Sequence, residues 1–207
     1  METEEEQVEK LKAWLKENGL SIVAGIVIGV GGLGGYRYWD HLQTTTAEQA
    51  SSHFTQMIEA LDSKNNDDLQ QHAQMLIDEY AATEYAVMAH FAMAKNYLSN
   101  DEYEKAEESL QQVVGSVGQE PLGYLARTRL AAVQMQREQF DQALSTLKIE
   151  FPQSFAAGAD ELRGDILSRQ GKTVAAQAAY RKAQQADPGP ANAEFLRQKI
   201  EDLGVAG

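Results

Sequence analysis

Sixteen consecutive residues, Leu20 to Gly35 (LSIVAGIVIGVGGLGG), carry no charge, and Ser21 is their single hydroxyl. As a helix they rise about 24 Å, short of the roughly 30 Å of hydrocarbon in a bilayer. The flanks extend the span, with Trp14 and Leu15 on one side and Tyr36, Tyr38 and Trp39 on the other. Amphipathic rings at those places favour the headgroup region. The stretch predicts one transmembrane helix over 19–39, preceded by a segment over 1–18 and followed by a domain over 40–207.

Three other readings of the run are weaker. A cleaved signal peptide would begin with a basic region, whereas Glu2, Glu4, Glu5, Glu6 and Glu9 stand here. The pattern Gly29-x-Gly31-x-x-Gly34, with Glu48 beyond it, matches a dinucleotide-binding fingerprint, but that motif has meaning only between a strand and a helix. YRYWD follows, and nothing downstream alternates strands with helices. A helix in a soluble core needs no aromatic residues at both ends. Gly25 with Gly29, and Gly31 with Gly35, form two G-x-x-x-G pairs, which let helix backbones approach closely in lipid. Glycine is also simply frequent in membrane helices; six in sixteen residues favour a packing face towards a protein partner.

Lys10, Lys12 and Lys16 precede the run, while Arg37 alone follows it before Lys64. Basic residues stay on the cytoplasmic side, so the N-terminus is expected there and the large C-terminal domain across the membrane. Residues 1–7 are acidic and expected to be disordered. Val8, Leu11, Trp14 and Leu15 share a helical face, suited to the membrane surface or to an extension of the span, with a bend at Asn18-Gly19.

The rest of the chain reads as all-α. A polar link through Thr44-Thr45-Thr46 is expected to lead into a helix over 47–61, with Phe54, Met57, Ile58 and Leu61 on its apolar face. SKNNDD over 63–68 reads as a turn before a helix over 69–80. From there a tetratricopeptide-like pattern recurs, in which small residues sit at tight helix crossings and large ones fill the gaps. Ala94, Tyr97, Tyr103, Ala106 and Leu110 carry it. Ala131, Gln134, Phe140, Ala143 and Leu147 repeat it 37 residues later, with Gln134 a departure at a large position. Gly164, Leu167, Thr173, Ala176 and Tyr180 repeat it after 33 more, and Ala183 and Pro188 close the unit. Ala73 lies 33 residues before Ala106, but its surroundings match poorly. The expectation is an α-solenoid of three degenerate repeats after one irregular helix pair. A helix over 191–203 caps it, with Phe195, Leu196 and Ile200 turned inwards.

Composition removes several function classes. A net charge of −13 opposes phosphate-backbone binding, and the absence of cysteine removes disulfides, thiolate metal sites and thiol nucleophiles. His41, His53, His72 and His90 show no metal-ligand spacing, and His90 is expected to be partly buried against the preceding repeat. Asp101-Glu102 and Glu107-Glu108 read as solvated turns and faces. No nucleophile elbow or phosphate loop is present, so neither enzyme, cofactor nor small-molecule substrate is expected.

A binding surface remains. The first helix of each pair lines the concave side of a solenoid, which places Met88, Phe91, Lys95 and Leu98 there from the first repeat. Leu125, Thr128, Ala132 and Met135 come from the second, and Glu161, Asp165 and Arg169 from the third. Met, Phe and Leu at one end suit apolar peptide segments. The opposing reading has these residues packed beneath the first pair or the cap, leaving no open groove.

QVEKLKAWLKENG, the glycine-rich run and the RYW that closes it resemble the YfgM family. RLAAVQMQREQFDQALSTLK, ELRGDILSRQGK and QKIEDL are also similar to it, so the resemblance covers nearly the whole chain. It implies an ancillary subunit of the SecYEG translocon in the bacterial inner membrane, with a periplasmic tetratricopeptide-like domain. Its implied partners are the channel, a membrane-anchored periplasmic prolyl isomerase and newly exported client proteins. A chaperone or adaptor follows; the alternative is a regulatory scaffold that sequesters an envelope-stress signalling or cell-envelope protein.

Overall fold

Four helix ends with one backbone geometry organise the large domain. In the computed structural model, which describes residues 4–186 and 189–205, each described element is an α-helix. These are α1 (Glu4–Ser63), α2 (Asn66–Glu79), α3 (Glu84–Ser99), α4 (Tyr103–Val117), α5 (Pro121–Gln136), α6 (Phe140–Thr146), α7 (Gln153–Arg169), α8 (Thr173–Gln185) and α9 (Pro190–Val205). The chain forms two units, Met1–Gln49 and Ala50–Gly207.

Within the second unit, α1, α3, α5 and α7 each end on a residue in the left-handed region: Lys64 (φ 56°), Asp101 (58°), Glu138 (60°) and Gly171 (72°). At each, the next amide reaches back six residues inclusively: Asn65 N–H to Ala60 O, Glu102 to Tyr97, Gln139 to Gln134 and Lys172 to Leu167, all 2.9 Å. The left-handed residue itself donates to Leu61, Leu98, Met135 or Ser168. This Schellman pattern satisfies the carbonyls left over at a helix end. A side chain in that region is strained where glycine is not. Glu138→Gly is therefore expected to raise stability by about 1 kcal/mol, and Glu138→Ala not to, measured by urea unfolding.

The shared turn shows why the first pair looked irregular. Its register is that of the next repeat, 37 residues on, but its residue sizes are exchanged. Met57 stands where Ala94 does and Ala60 where Tyr97 does; Leu69 matches Ala106 and Ala73 matches Leu110. Met57, Ala60, Leu69 and Ala73 are all buried, together with Leu76, Ala89 and Met93. Exchanging large and small across one crossing keeps the volume that close packing requires. The 33-residue match of Ala73 to Ala106 is thereby corrected: it falls one helical turn out of register.

Farther along, Ala94, Ala106 and Leu110 are buried between α3, α4 and α5, and Ala131, Ala143 and Leu147 between α5, α6 and α7. A Cβ on Gly164 would run into the buried Tyr180 ring, so that crossing favours glycine. Gln134 is buried as well, because its surroundings are polar: its Nε2 donates to Glu107 Oε1 (3.0 Å) and its Oε1 accepts from Thr146 Oγ1 (2.7 Å). Glu107 also accepts from Gln111 (3.1 Å) and Gln142 (3.0 Å) and pairs with Arg137. Glu107 had read as a solvated residue; it is buried, while its neighbour Glu108 is exposed.

Helix α9 covers α8 through Leu196, which is fully buried, and the partly buried Ile200 and Leu203. Phe195, expected to turn inwards, is 50% exposed and lies under the Lys199 ammonium at 4.7 Å. Pro188 lies outside the described residues, as do Met1, Glu2 and Thr3.

In the first unit, α1 begins at Glu4, within the segment expected to be disordered. It continues through Thr44–Thr46, where a link was expected. Thr44 and Thr45 donate back to the carbonyls of Asp40 and His41, both at 2.9 Å, which keeps their hydroxyls satisfied inside a helix. Among the described residues no single helix is long and apolar enough to cross a membrane. The pair Glu6–Ser21 and Val23–Ser63, bent by 43°, meets that length and composition together. The bend falls a few residues beyond Asn18-Gly19. Trp14, Leu20, Val23, Ile26, Ile28, Val30, Leu33, Tyr36 and Trp39 are all exposed.

Candidate functional site

A cleft of about 580 Å³ opens on the first helices of the first three pairs. Its wall is built by the helical spacing of Phe54, Ile58 and Leu61 on α1, which faces Met88, Phe91, Lys95 and Leu98 on α3. Ala92, Ala94 and Leu110 form its floor, and Ser99 and Arg129 stand at its margin. Phe91 is 8% exposed and Leu98 37%, so the cleft grades from a packed floor to an open lip. The Arg129 guanidinium lies 5.1 Å from the Phe91 ring centroid, which holds a cation over an apolar surface.

The four first-repeat residues singled out from the sequence thus share one cleft. Those of the second repeat do not join it. Leu125 packs against the core between α3, α4 and α5, the Thr128 hydroxyl donates to the Leu125 carbonyl at 2.9 Å, and Met135 packs beside Ala131 and Leu147. Ala132 is half-buried.

The third repeat's candidates are engaged by neighbouring helices. Lys199 of α9 pairs with Glu161 (2.9 Å) and Asp165 (2.7 Å), and Asp165 also accepts from the Tyr180 hydroxyl (2.8 Å). Burial, followed by that bond, pushes the Tyr180 phenol above its ordinary value. Arg169 donates to Met135 O and Gln136 Oε1, both at 3.3 Å, beside the Phe140 ring. A cleft therefore stands at the first repeat, while ion pairs and hydrogen bonds hold the candidates of the third.

Phe54, Ile58, Leu61 and Arg129 were not among the groove residues read from the sequence. The first three were visible as an apolar stripe, but nothing local separates a stripe that is buried from one that lines a cleft. Arg129 carried no signal at all.

His90, half-buried on α3, has its imidazole pushed below the ordinary 6.5 by desolvation. The unfolded chain then binds the proton more readily, so this contribution is full above 6.5 and is lost as pH falls below it. His90→Gln is expected to flatten the dependence of stability on pH through this region, measured by urea unfolding at a series of pH values.

The model of the tetratricopeptide repeat-like domain family matches residues 12–205. A protein of Escherichia coli K12, named Ancillary SecYEG translocon subunit, is 33% identical over 204 residues, covering 99% of this chain and 98% of its own. A Haemophilus influenzae protein of the same name is 34% identical over 97% of both chains. The chain belongs to the family of ancillary SecYEG translocon subunits. A Neisseria gonorrhoeae protein of that name is 23% identical, again over 97% of both. No solved structure matches. Similarity to these ancillary subunits runs through both the exposed α1 segment and the helix pairs that form the cleft.

Proposed function

We propose that this chain is a non-enzymatic ancillary subunit of the Sec translocon, anchored in the bacterial inner membrane by residues 19–39. Its helical-repeat domain acts in the periplasm as a chaperone or adaptor, binding protein partners through the first-repeat cleft. The observation that carries this reading is the uncharged, uncovered stretch on α1 in a chain similar over its full length to named translocon subunits. So large an apolar surface is costly in water and needs lipid or protein around it. The lysines before it and their scarcity after it support a cytoplasmic N-terminus.

A Cβ built on Gly25, Gly29, Gly31 or Gly35 meets nothing within 4 Å, so no contact among the described residues calls for glycine there. We read these two glycine pairs, which lie on different sides of the helix, as surfaces that pack on the channel or on a membrane-anchored prolyl isomerase.

Site-specific photocrosslinking in intact cells tests the proposal, with probes along 23–33, at Phe91 and at Met135. Crosslinks from the helix to the channel, with exported chains captured at Phe91, support the adaptor. Capture of one stoichiometric non-client protein at both places supports the regulatory scaffold. Absence of channel crosslinks from every helix position refutes association with the translocon.

A further inference from the structure

The cleft differs in charge from the chain that holds it. The whole sequence carries −13, yet among the described residues no Asp or Glu lines the cleft and two cations do, Lys95 and Arg129. The ion pairs among the described residues use other cations, namely Lys105, Arg137, Arg163, Lys182, Arg197 and Lys199. Among the described residues, neither Lys95 nor Arg129 has a carboxylate within ion-pair distance. In so acidic a protein, two unpaired cations beside an apolar wall form a surface complementary to an apolar guest that brings its own negative charge.

The wall also restricts the guest's backbone. It consists of helices, whose amides and carbonyls are bonded within each helix, and among the described residues its polar side chains are Lys95, Ser99 and Arg129 at the margin. An extended segment would turn its own amide groups against Phe54, Met88 and Phe91 and leave them unmet. A helix arrives with those groups already paired and presents a stripe of side chains instead. The place of Arg129 fits this: its guanidinium stands beside the Phe91 ring at the margin of the cleft, where a guanidinium can take a carboxylate in a two-pronged pair.

From these features we infer that the cleft docks an amphipathic helix of a partner protein, its apolar stripe on Phe91 and Met88 and an acidic residue at the end of the stripe on Arg129 and Lys95. This rests on the proposed binding role of the cleft and specifies what it selects. The selection is for helical structure and negative charge together, which sets it apart from a surface that accepts any exposed apolar segment.

The test uses the full chain in nanodiscs and labelled helical peptides read by fluorescence anisotropy. One peptide carries Leu at i, i+3, i+4 and i+7 with two Glu at one end. Matched peptides replace Glu by Gln or by Lys, and another Glu peptide has a central Pro that breaks the helix. The Glu peptide is expected to bind at least about tenfold more tightly than the Gln peptide, with the advantage shrinking as salt rises. The Lys95→Glu, Arg129→Glu double variant is expected to reverse the ranking in favour of the Lys peptide.

Equal affinity for Glu and Gln peptides, undiminished binding of the Pro peptide, or no binding of any peptide would each overturn the inference. So would a photoprobe at Leu98 that captures a second copy of this chain instead of a partner. Channel crosslinks from α1 that persist in the double variant separate a wrong guest from a wrong translocon assignment, since the latter predicts their absence in the unaltered chain too.

Discussion

Glu107→Ala is expected to lower the stability of the repeat domain by about 3–5 kcal/mol, a large share of the margin of a domain this size. Glu107 is buried and accepts from Gln111, Gln134 and Gln142 while pairing with Arg137. Truncation leaves a cavity, an amide of the buried Gln134 without an acceptor, and a guanidinium that retains only Glu104 (2.7 Å). The loss therefore reflects groups stranded by the missing carboxylate and exceeds the net worth of the bonds themselves. The double variant Glu107→Leu, Gln134→Leu should recover much of it, because an apolar filling strands fewer buried polar groups. Urea unfolding of both variants checks this. If Glu107→Ala cost less than about 1 kcal/mol, the network would be dispensable to the junction of α4 with α5.

The second large effect concerns the α1 run. Ile28→Lys exchanges a residue that favours hydrocarbon by about 0.5 kcal/mol for one that opposes it by about 3, a swing of some 3–4 kcal/mol. The run is only sixteen residues long and six are glycine, so it has little surplus apolarity to absorb that cost. Ile28→Lys is expected to release most of the chain on alkaline carbonate extraction of membranes, and Ile28→Leu to remain with the pellet. Full retention of the lysine variant would remove the spanning role of this segment.

The repeats were legible where side-chain size tracked the backbone. At Ala94, Ala131 and Gly164 the close crossing of two helices excludes bulk, so the residue itself reports the geometry. The first pair hid the same geometry, because Met57 and Ala60 exchange the sizes of Ala94 and Tyr97 while filling equivalent space. Only the shared turn, with Lys64 in the place of Asp101, Glu138 and Gly171, exposes the register. Gln134, a departure from the repeat pattern, and Glu107, which reads as solvated, hid their burial for a related reason: each is polar, and its partner lies 27 residues distant.

By itself the sequence determined an all-α chain, an uncharged run followed by a repeat domain, and a first-repeat face bearing Met88, Phe91, Lys95 and Leu98. Those properties reside in local periodicity and composition, which need no distant partner to be read. The tertiary structure decided which part of the concave side stays open. Lys199 closes on Glu161 and Asp165 across more than 30 residues of sequence, while Phe54 and Ile58 leave a gap over Phe91. Whether a stripe is covered depends on the helix that arrives opposite it, and a long-range contact of that kind leaves no periodic trace in either segment.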